Sequence, residues 1–483
     1  MANPSSASLS LGAKRTVLAY VSLTILVVVL MMMLGLALRL SQAQVITLSP
    51  ALFYQVMTAH GIGMVGIAGL GGAAIMWYFL NQYVKLSTGI LLANLLLFLL
   101  GVVLILGAIF LGGFAAAWTF LFPLPAKPMG VWSNAAAASY LIGVLVIGVG
   151  FLLLYLDVAR AILVKYPSLA RALGWPQLFG RDDGNAPPPT VVASTVVAVI
   201  NILSIVVGAV ILTICLVNLY VPEFAVDALL AKNLIFFFGH VFINAAIYMT
   251  VIAVYEILPR YADRPWKSNR VFLAAWTATL IMVLIVYPHH LLMDFAMPTW
   301  ALLMGQIISY TSGLPVVAVT MIGTLAIVHR SGLRWDLVSG LLFLSVFGWA
   351  AGILPAIIDG TIVVNHVMHN TLWVPGHFHF YLLLGLGAML MGFCYYLAKT
   401  EGGLKGNALD AASFWAFALG GLGFAGVFLV SGRNSIPRRW AVHLPEWLPY
   451  DRIGSAFAAL VVVAVLVFLV RFLSRLRPMA AAA

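Results

Sequence analysis

Residues 369–380 read HNTLWVPGHFHF. Three histidines, His369, His377 and His379, stand at the mouth of an apolar run that continues to about residue 397. Ionisable side chains inside a bilayer are expensive and mark function. This stretch therefore reads as a transmembrane helix that binds something. The whole chain has the same character: 63% of its 483 residues are hydrophobic and 8% are charged, against roughly a quarter charged in soluble proteins. Twelve apolar runs reach the roughly 20 residues needed to cross the hydrocarbon. They cover about 16–39, 52–83, 86–112, 134–158, 190–220, 232–258, 270–293, 300–328, 336–358, 368–397, 411–431 and 454–474.

The fold expected is an all-α polytopic membrane protein with twelve transmembrane helices. Residues 16–475 read as a single twelve-helix domain, with a cytoplasmic N-terminal tail at 1–15 and a C-terminal tail at 476–483. A cytoplasmic loop occupies 160–189 and ends in the Pro-rich RDDGNAPPPT. The polar opening MANPSSASLSLGAKR, followed by a long apolar run, does not read as a cleavable signal.

A formal net charge of +11 invites a nucleic-acid reading, and topology removes it. With a cytoplasmic N-terminus and alternating spans, 18 of the 25 Lys and Arg fall on the cytoplasmic side. That is the positive-inside bias of a protein whose partner is the lipid bilayer. The expected place is the cytoplasmic membrane of a bacterium or archaeon, with both termini inside. Four of the other seven cluster late on the outer side: Arg433, Arg438, Arg439 and Arg452. They need a separate cause. Cys215 and Cys394 lie mid-span without a CxxC pair, so a thiolate metal centre is not expected.

Seven of the ten histidines lie inside spans or at their lips: His60, His240, His289, His290, His369, His377 and His379. In the alternating scheme they share one depth, nearer the outer face. Independent packing residues have no reason to share a level, whereas ligands of a cofactor layer do. Imidazole suits heme iron and copper. His377 and His379 stand about 200° apart around a helix, so one helix can serve two hemes. His289 and His290 stand about 100° apart and can share a metal only where the helix is loosened. Pro288 and Pro298 can loosen it. His240 would add a third nitrogen and leave a copper position open. His329, His366 and His443 read as loop or lip residues.

This constellation resembles subunit I of the heme–copper oxidase superfamily, and most closely the B-type (ba-type) oxygen reductases. The resemblance runs over nearly the whole chain. It rests on TAHG at 58–61, GH at 239–240 with YEILP at 255–259, HH at 289–290, HNTLWVPGHFHF at 369–380 and IPRRW at 436–440. It implies that His60 and His379 ligate a low-spin heme b. It implies that His377 ligates a high-spin heme of b or a type, and that His240, His289 and His290 hold the copper, CuB. Arg438 and Arg439 match the arginines that pair with heme propionates, which would explain basic residues on the outer side. His369 would hydrogen-bond in the same region.

One departure bears on the chemistry. The oxygen reductases resembled here carry a tyrosine four residues after the copper-binding histidine, and the two rings are covalently linked. Here GHVFINAAIY places Asn244 at that position. One-step cleavage of O2 takes four electrons, of which the metals supply three and the tyrosine the fourth. Joining two NO molecules takes two: 2 NO + 2 e⁻ + 2 H⁺ → N2O + H2O. Reductases of NO that use a non-heme iron place a glutamate beside it, and GHVFIN offers none. Three histidines without a carboxylate favour copper. The chain therefore looks like the copper-type nitric oxide reductases related to B-type oxidases, the group often called sNOR. NO reduction is the expected activity. Cytochrome c oxidase activity is the alternative, with Tyr248 or Tyr287 in place of the missing phenol. The Asn244 amide is expected to donate to a substrate oxygen.

A cytoplasmic proton route of the K type is expected through Glu256 as uptake acid, then Tyr255, Thr250 and Tyr248, with Ser309, Tyr310, Thr311 and Ser312 along the eighth span. Val251 replaces a tyrosine of the family's route, and hydroxyls in membrane helices often bond only backbone carbonyls. The chain carries no CuA motif and no CxxCH motif. The resemblance therefore implies a subunit II bearing CuA or a c-type heme, fed by cytochrome c or a cupredoxin. A heme or metal transporter and a non-catalytic heme protein are the readings from other classes.

Overall fold

The computed structural model describes residues 9–181 and 184–481. The first eight residues of the expected N-terminal tail, Asp182 and Asp183 of the linker, and the last two residues lie outside them. Twelve helices among the described residues are long and apolar enough to cross a membrane, which makes this a multi-pass membrane protein. They are α1 (Leu11–Gln42), α2 (Pro50–Leu80), α3 (Thr88–Leu111), α4 (Asn134–Lys165), α5 (Pro189–Tyr220) and α6 (Ala228–Ala262). The second half comprises α7 (Arg270–Leu291), α8 (Thr299–Val328), α9 (Leu337–Asp359), α10 (Trp373–Thr400), α11 (Ala408–Arg433) and α12 (Pro445–Ala481). The described residues contain no strand, only an isolated bridge between Thr371 and Pro437.

Eight of the twelve helices start where a short polar side chain meets an apolar run. Ser49, Ser87, Ser133, Asp227 and Asn269 each accept a hydrogen bond from the backbone three residues on, and Asp336 and Asn407 close full capping boxes. Local signals thus set the ends, while apolar length sets the number of helices. The twelve predicted runs match the twelve helices, with ends shifted by up to nine residues. α1 begins at Leu11, inside the stretch read as a tail. Within the expected 160–189 loop, α4 continues to Lys165 and two short helical turns follow, Leu169–Ala172 and Trp175–Leu178. Of the expected C-terminal tail, Leu476–Ala481 is helical, with Met479 buried.

Three helices are more enclosed than the rest. The most apolar stretch is 67% buried in α2 and 89% in α6 and α10, against 28% to 50% in the other nine. These three carry His60, His240, His377 and His379 and form the inside of the bundle; α7, which carries His289 and His290, is less enclosed at 44%. Even-numbered helices start at the face opposite the N-terminus, here the far face. The histidines sit in the half of the bundle nearer that face.

A buried ion pair ties α1 to α12 beside this layer. The Arg39 guanidinium donates to Asp451 at 2.8 Å, and their side chains are 4% and 0% exposed. His443 Nδ1 meets the other carboxylate oxygen at 2.7 Å. The sequence marks His443 as a loop residue; it is in a loop, but buried. Asp451→Asn leaves Arg39 buried without its counter-charge. The expected cost is about 3–5 kcal/mol, checked as a lowered Tm of the detergent-solubilised protein.

Candidate functional site

α7 tightens from α to 3-10 geometry at Tyr287–Leu291. Pro288 supplies no backbone donor there, and Gly305 of α8 lets the turn come close: a Cβ at 305 would stand 3.0 Å from the His289 nitrogen. The loosened helix expected from Pro288 is present, and it brings both imidazoles to α6. Ring centroids lie 4.3 Å apart for His289 and His290, 4.6 Å for His240 and His289, and 5.0 Å for His240 and His290. One nitrogen of each ring lies within 4.8 Å of the others, a set that could hold a metal ion. Phe236 stacks on His290 at 5.0 Å. Three imidazoles without a carboxylate suit copper better than a hard cation.

His240 faces two ways. Its Nδ1 lies 2.8 Å from His290 Nε2, toward the trio. Its Nε2 lies 2.8 Å from the side-chain amide of Asn244, which also donates to the His240 carbonyl at 2.9 Å. The amide expected to face a substrate is therefore engaged by His240, because a residue four positions on stacks directly over its partner on a helix. Neither alternative tyrosine is turned to the trio. The Tyr287 hydroxyl donates to Asn233 at 3.2 Å. Tyr248 lies two turns along α6 from His240, between Trp276 and Trp349.

The heme-ligand candidates divide by the partner of Nδ1. His60 Nδ1 donates to the Met31 carbonyl at 2.7 Å, and His379 Nδ1 to the Pro375 carbonyl at 2.6 Å. Each leaves Nε2 free with its lone pair available, as an axial iron ligand requires. His379 is wedged by Phe424 and Phe428 at 5.1 and 5.2 Å, and Arg39 lies 4.9 Å over the Phe428 ring. His377 differs: its Nδ1 is buried with no hydrogen-bond partner among the described residues. It interacts electrostatically with His289 of the trio. The donor set fits two hemes and one copper. A π-helical segment, Phe380–Gly387, follows His379 immediately; such bulges collect at functional sites.

Gly35 faces the His60 ring, where a Cβ would stand 2.8 Å from Cε1. Since Met31 fixes that ring, Gly35→Val is expected to dislodge it. The check is a loss of low-spin heme absorbance in purified protein with the copper content unchanged.

Arg438, Arg439 and His369 converge beside this layer. Backbone pairing sets them there: Leu372 N–H donates to Ile436 at 2.9 Å and Arg438 N–H to Asn370 at 2.9 Å. Burial and then the adjacent Arg439 pull the Arg438 guanidinium down to about 10. Burial and the same two arginines push His369 down to about 4. Two arginines with Asp359 as a nearby acid keep an excess of positive charge that fits carboxylates of a bound group such as heme propionates.

The expected proton residues separate into two groups. Tyr255 Oη and Thr320 Oγ1 are 2.6 Å apart, near the N-terminal face. Beside them Glu256 accepts from Tyr83 at 2.9 Å, from Thr190, and from Arg260 at 3.2 Å. Thr250 donates to the Ile247 carbonyl, a local backbone bond. The stretch Ser309–Ser312 does not join this group. Tyr310 Oη is 2.7 Å from Thr361 Oγ1, and Ser309 packs on Gly360, just past the far-face end of α9. Thr311 bonds the carbonyls of Ile307 and Ile308. Ser312 ends the first half of α8, which breaks before Pro315. These four residues lie at the level of the histidines, apart from the Tyr255–Thr320 pair near the N-terminal face.

Sequence reasoning missed Asp359, a buried carboxylate whose Oδ2 is 3.8 Å from His377 Nδ1. Its signal was an acidic residue closing an apolar span. His329 and His366 are both exposed; His329 lies in a turn, as expected for a loop residue, whereas His366 sits in the short helix Ile362–Met368.

Residues 15–472 match the family described as cytochrome c and quinol oxidase polypeptide I. Among similar proteins, cytochrome c oxidase subunit 1 of Thermus thermophilus is 25% identical over 268 residues, covering 51% of this chain and 48% of that protein. Cytochrome c oxidase polypeptide 1 of Halobacterium salinarum is 24% identical over 253 residues, covering 50% and 41%. The matched regions thus span half or less of these two relatives. Cytochrome c oxidase subunit 1 of Thermostichus vulcanus is 23% identical over 458 residues, covering 88% and 76%. A heme-copper terminal oxidase dimer solved by cryo-EM has the same fold, with a TM-score of 0.78 at 20% identity over 97% of this chain and 84% of that one.

Proposed function

The chain belongs to the cytochrome c and quinol oxidase polypeptide I family, subunit I of the heme–copper oxidases, and from that premise we propose that it is the catalytic subunit of a membrane reductase that converts NO to N2O. The balance is 2 NO + 2 e⁻ + 2 H⁺ → N2O + H2O. His60 and His379 would hold a low-spin heme b, His377 a high-spin heme of b or a type, and His240, His289 and His290 a copper ion. When bound, the high-spin heme and the copper supply one electron each to the two substrate molecules.

The observation that carries the choice of substrate is Asn244. It occupies His240 Nε2, the place where an oxygen reductase of the B type has its linked phenol, and an amide is not an electron source. Its role here is to hold His240. The amide nitrogen stands against Nε2 and donates to the His240 carbonyl, which would fix the ring with Nδ1 turned toward His290. Asn244→Ala is expected to lower turnover about 10–100-fold with both hemes still assembled, checked by NO consumption beside a heme spectrum.

The remaining residues serve supply and placement. Arg438, Arg439 and His369 would anchor the propionates. Tyr255 and Thr320 would pass protons inward from the cytoplasm, with Glu256 at the start of the path and Tyr248 further along it. The alternation of basic residues supports cytoplasmic termini and an outer-facing histidine layer in a bacterial or archaeal membrane. Electrons would arrive from a subunit II with CuA or a c-type heme, reduced by cytochrome c or a cupredoxin.

Reduction of O2 to water is the second reading, favoured by the names of the relatives. The test is anaerobic NO consumption by the purified, donor-reduced complex, with N2O quantified, against O2 uptake by the same preparation. One N2O per two NO, far faster than O2 uptake, supports NO reduction. O2 uptake with NO left intact supports the oxidase.

A further inference from the structure

The two outer-layer histidines His60 and His379 share a feature that His377 lacks. Both give Nδ1–H to a neutral backbone carbonyl, at 2.7 and 2.6 Å. The Nδ1 of His377 has no such partner and is buried. What faces it is a carboxylate: Asp359 Oδ2 stands 3.8 Å away, with the two side chains 17% and 10% exposed.

Asp359 is badly placed for any local purpose. It is the last residue of α9, and a negative charge at a helix C-terminus is disfavoured by the aligned peptide dipoles. Yet it is held firmly. Asn365 donates to its backbone carbonyl at 2.7 Å and approaches its Oδ1 at 3.4 Å. Arg438 supplies a nearby positive charge. The carboxylate is thus fixed next to a ring nitrogen that needs an acceptor, on a histidine assigned to the high-spin heme.

We infer that Asp359 is the positioning residue of His377: it accepts the Nδ1–H and gives this imidazole anionic character that His60 and His379 lack. The inference rests on His377 being a heme ligand. A carboxylate partner makes a ligating imidazole a stronger electron donor than a carbonyl partner does. It strengthens the iron–histidine bond and stabilises the oxidised iron. The two hemes would then differ in electron richness through the partners of their histidines, and Asp359 would set that difference.

The test uses the purified complex with its hemes. Resonance Raman of the reduced protein reads the iron–histidine stretch of the high-spin heme, and spectroelectrochemistry reads each heme's midpoint. In the unaltered complex the stretch should lie in the upper range that carboxylate-bonded imidazoles give; a value in the carbonyl-bonded range overturns the inference. Asp359→Asn should lower the stretch and raise the high-spin midpoint, with the low-spin midpoint unmoved, and Asp359→Glu should restore part of both. If Asp359 were only a counter-charge for Arg438, Asp359→Asn would leave the stretch where it was, and the inference would fall. His377→Ala separates the underlying assignment: it should abolish the high-spin signal, and retention of that signal would sink the heme reading itself.

Discussion

Replacing His290 with alanine is expected to empty the copper position while both hemes remain. The three imidazoles form one cluster, with His240 Nδ1 2.8 Å from His290 Nε2 and every ligating nitrogen within 4.8 Å of the others. Two imidazoles cannot complete the three-ligand set that holds copper against competing sites. The Phe236 ring that stacks on His290 would close over the gap, so no water-filled substitute ligand is provided. Turnover should fall to background, because one of the two electrons of the reaction has lost its source. Metal analysis and the heme spectrum of the purified variant check this together. Copper retained at the level of the unaltered protein would remove His290 from the site.

The second large effect is expected at His379. His379→Ala should remove the low-spin heme and with it the delivery of electrons. The ring is held by its own helix, through Pro375, and by two phenylalanines of α11. Alanine offers iron no ligand. His377, two residues earlier, interacts electrostatically with His289 of the trio and faces Asp359. The variant should lose the absorbance of a bis-imidazole heme, keep the high-spin heme and copper, and turn over NO only at background rate with a physiological donor. A small reductant that reaches the high-spin site directly should recover part of the activity. Loss of both hemes would mean that His379 also supports the other site.

The contrast between these residues and the others explains what the sequence could reveal. Twelve helices were legible because apolar length is counted along the chain. The histidines were legible because imidazoles are scarce in membranes and shared one depth in the alternating scheme. Pro288 announced the loosened helix that the 3-10 turn at Tyr287–Leu291 now shows. The partners of the histidines were not legible. The carbonyls of Met31 and Pro375 belong to backbone, which every residue has. Asp359 lies eighteen positions before His377, and nothing in that spacing announces contact. The partners of Ser309–Ser312 stayed hidden for the same reason: a stretch of hydroxyls says that a polar neighbour is near, but not which one. The neighbours of Ser309 and Tyr310 are Gly360 and Thr361, at the far end of α9. Asn244 was noticed for the phenol it replaces, yet its contact with His240 Nε2 came only with the helix in three dimensions.

Six imidazoles, from His60, His240, His289, His290, His377 and His379, would hold two hemes and one copper, and the proposed activity depends on all six. The most direct measurement is the metal and heme content of the purified complex, subunit II removed or its own metals subtracted. The account predicts two hemes, one of them low-spin and one high-spin, and one copper for each copy of this chain. A preparation that is fully active with non-heme iron in place of copper, or with a single heme, would contradict it.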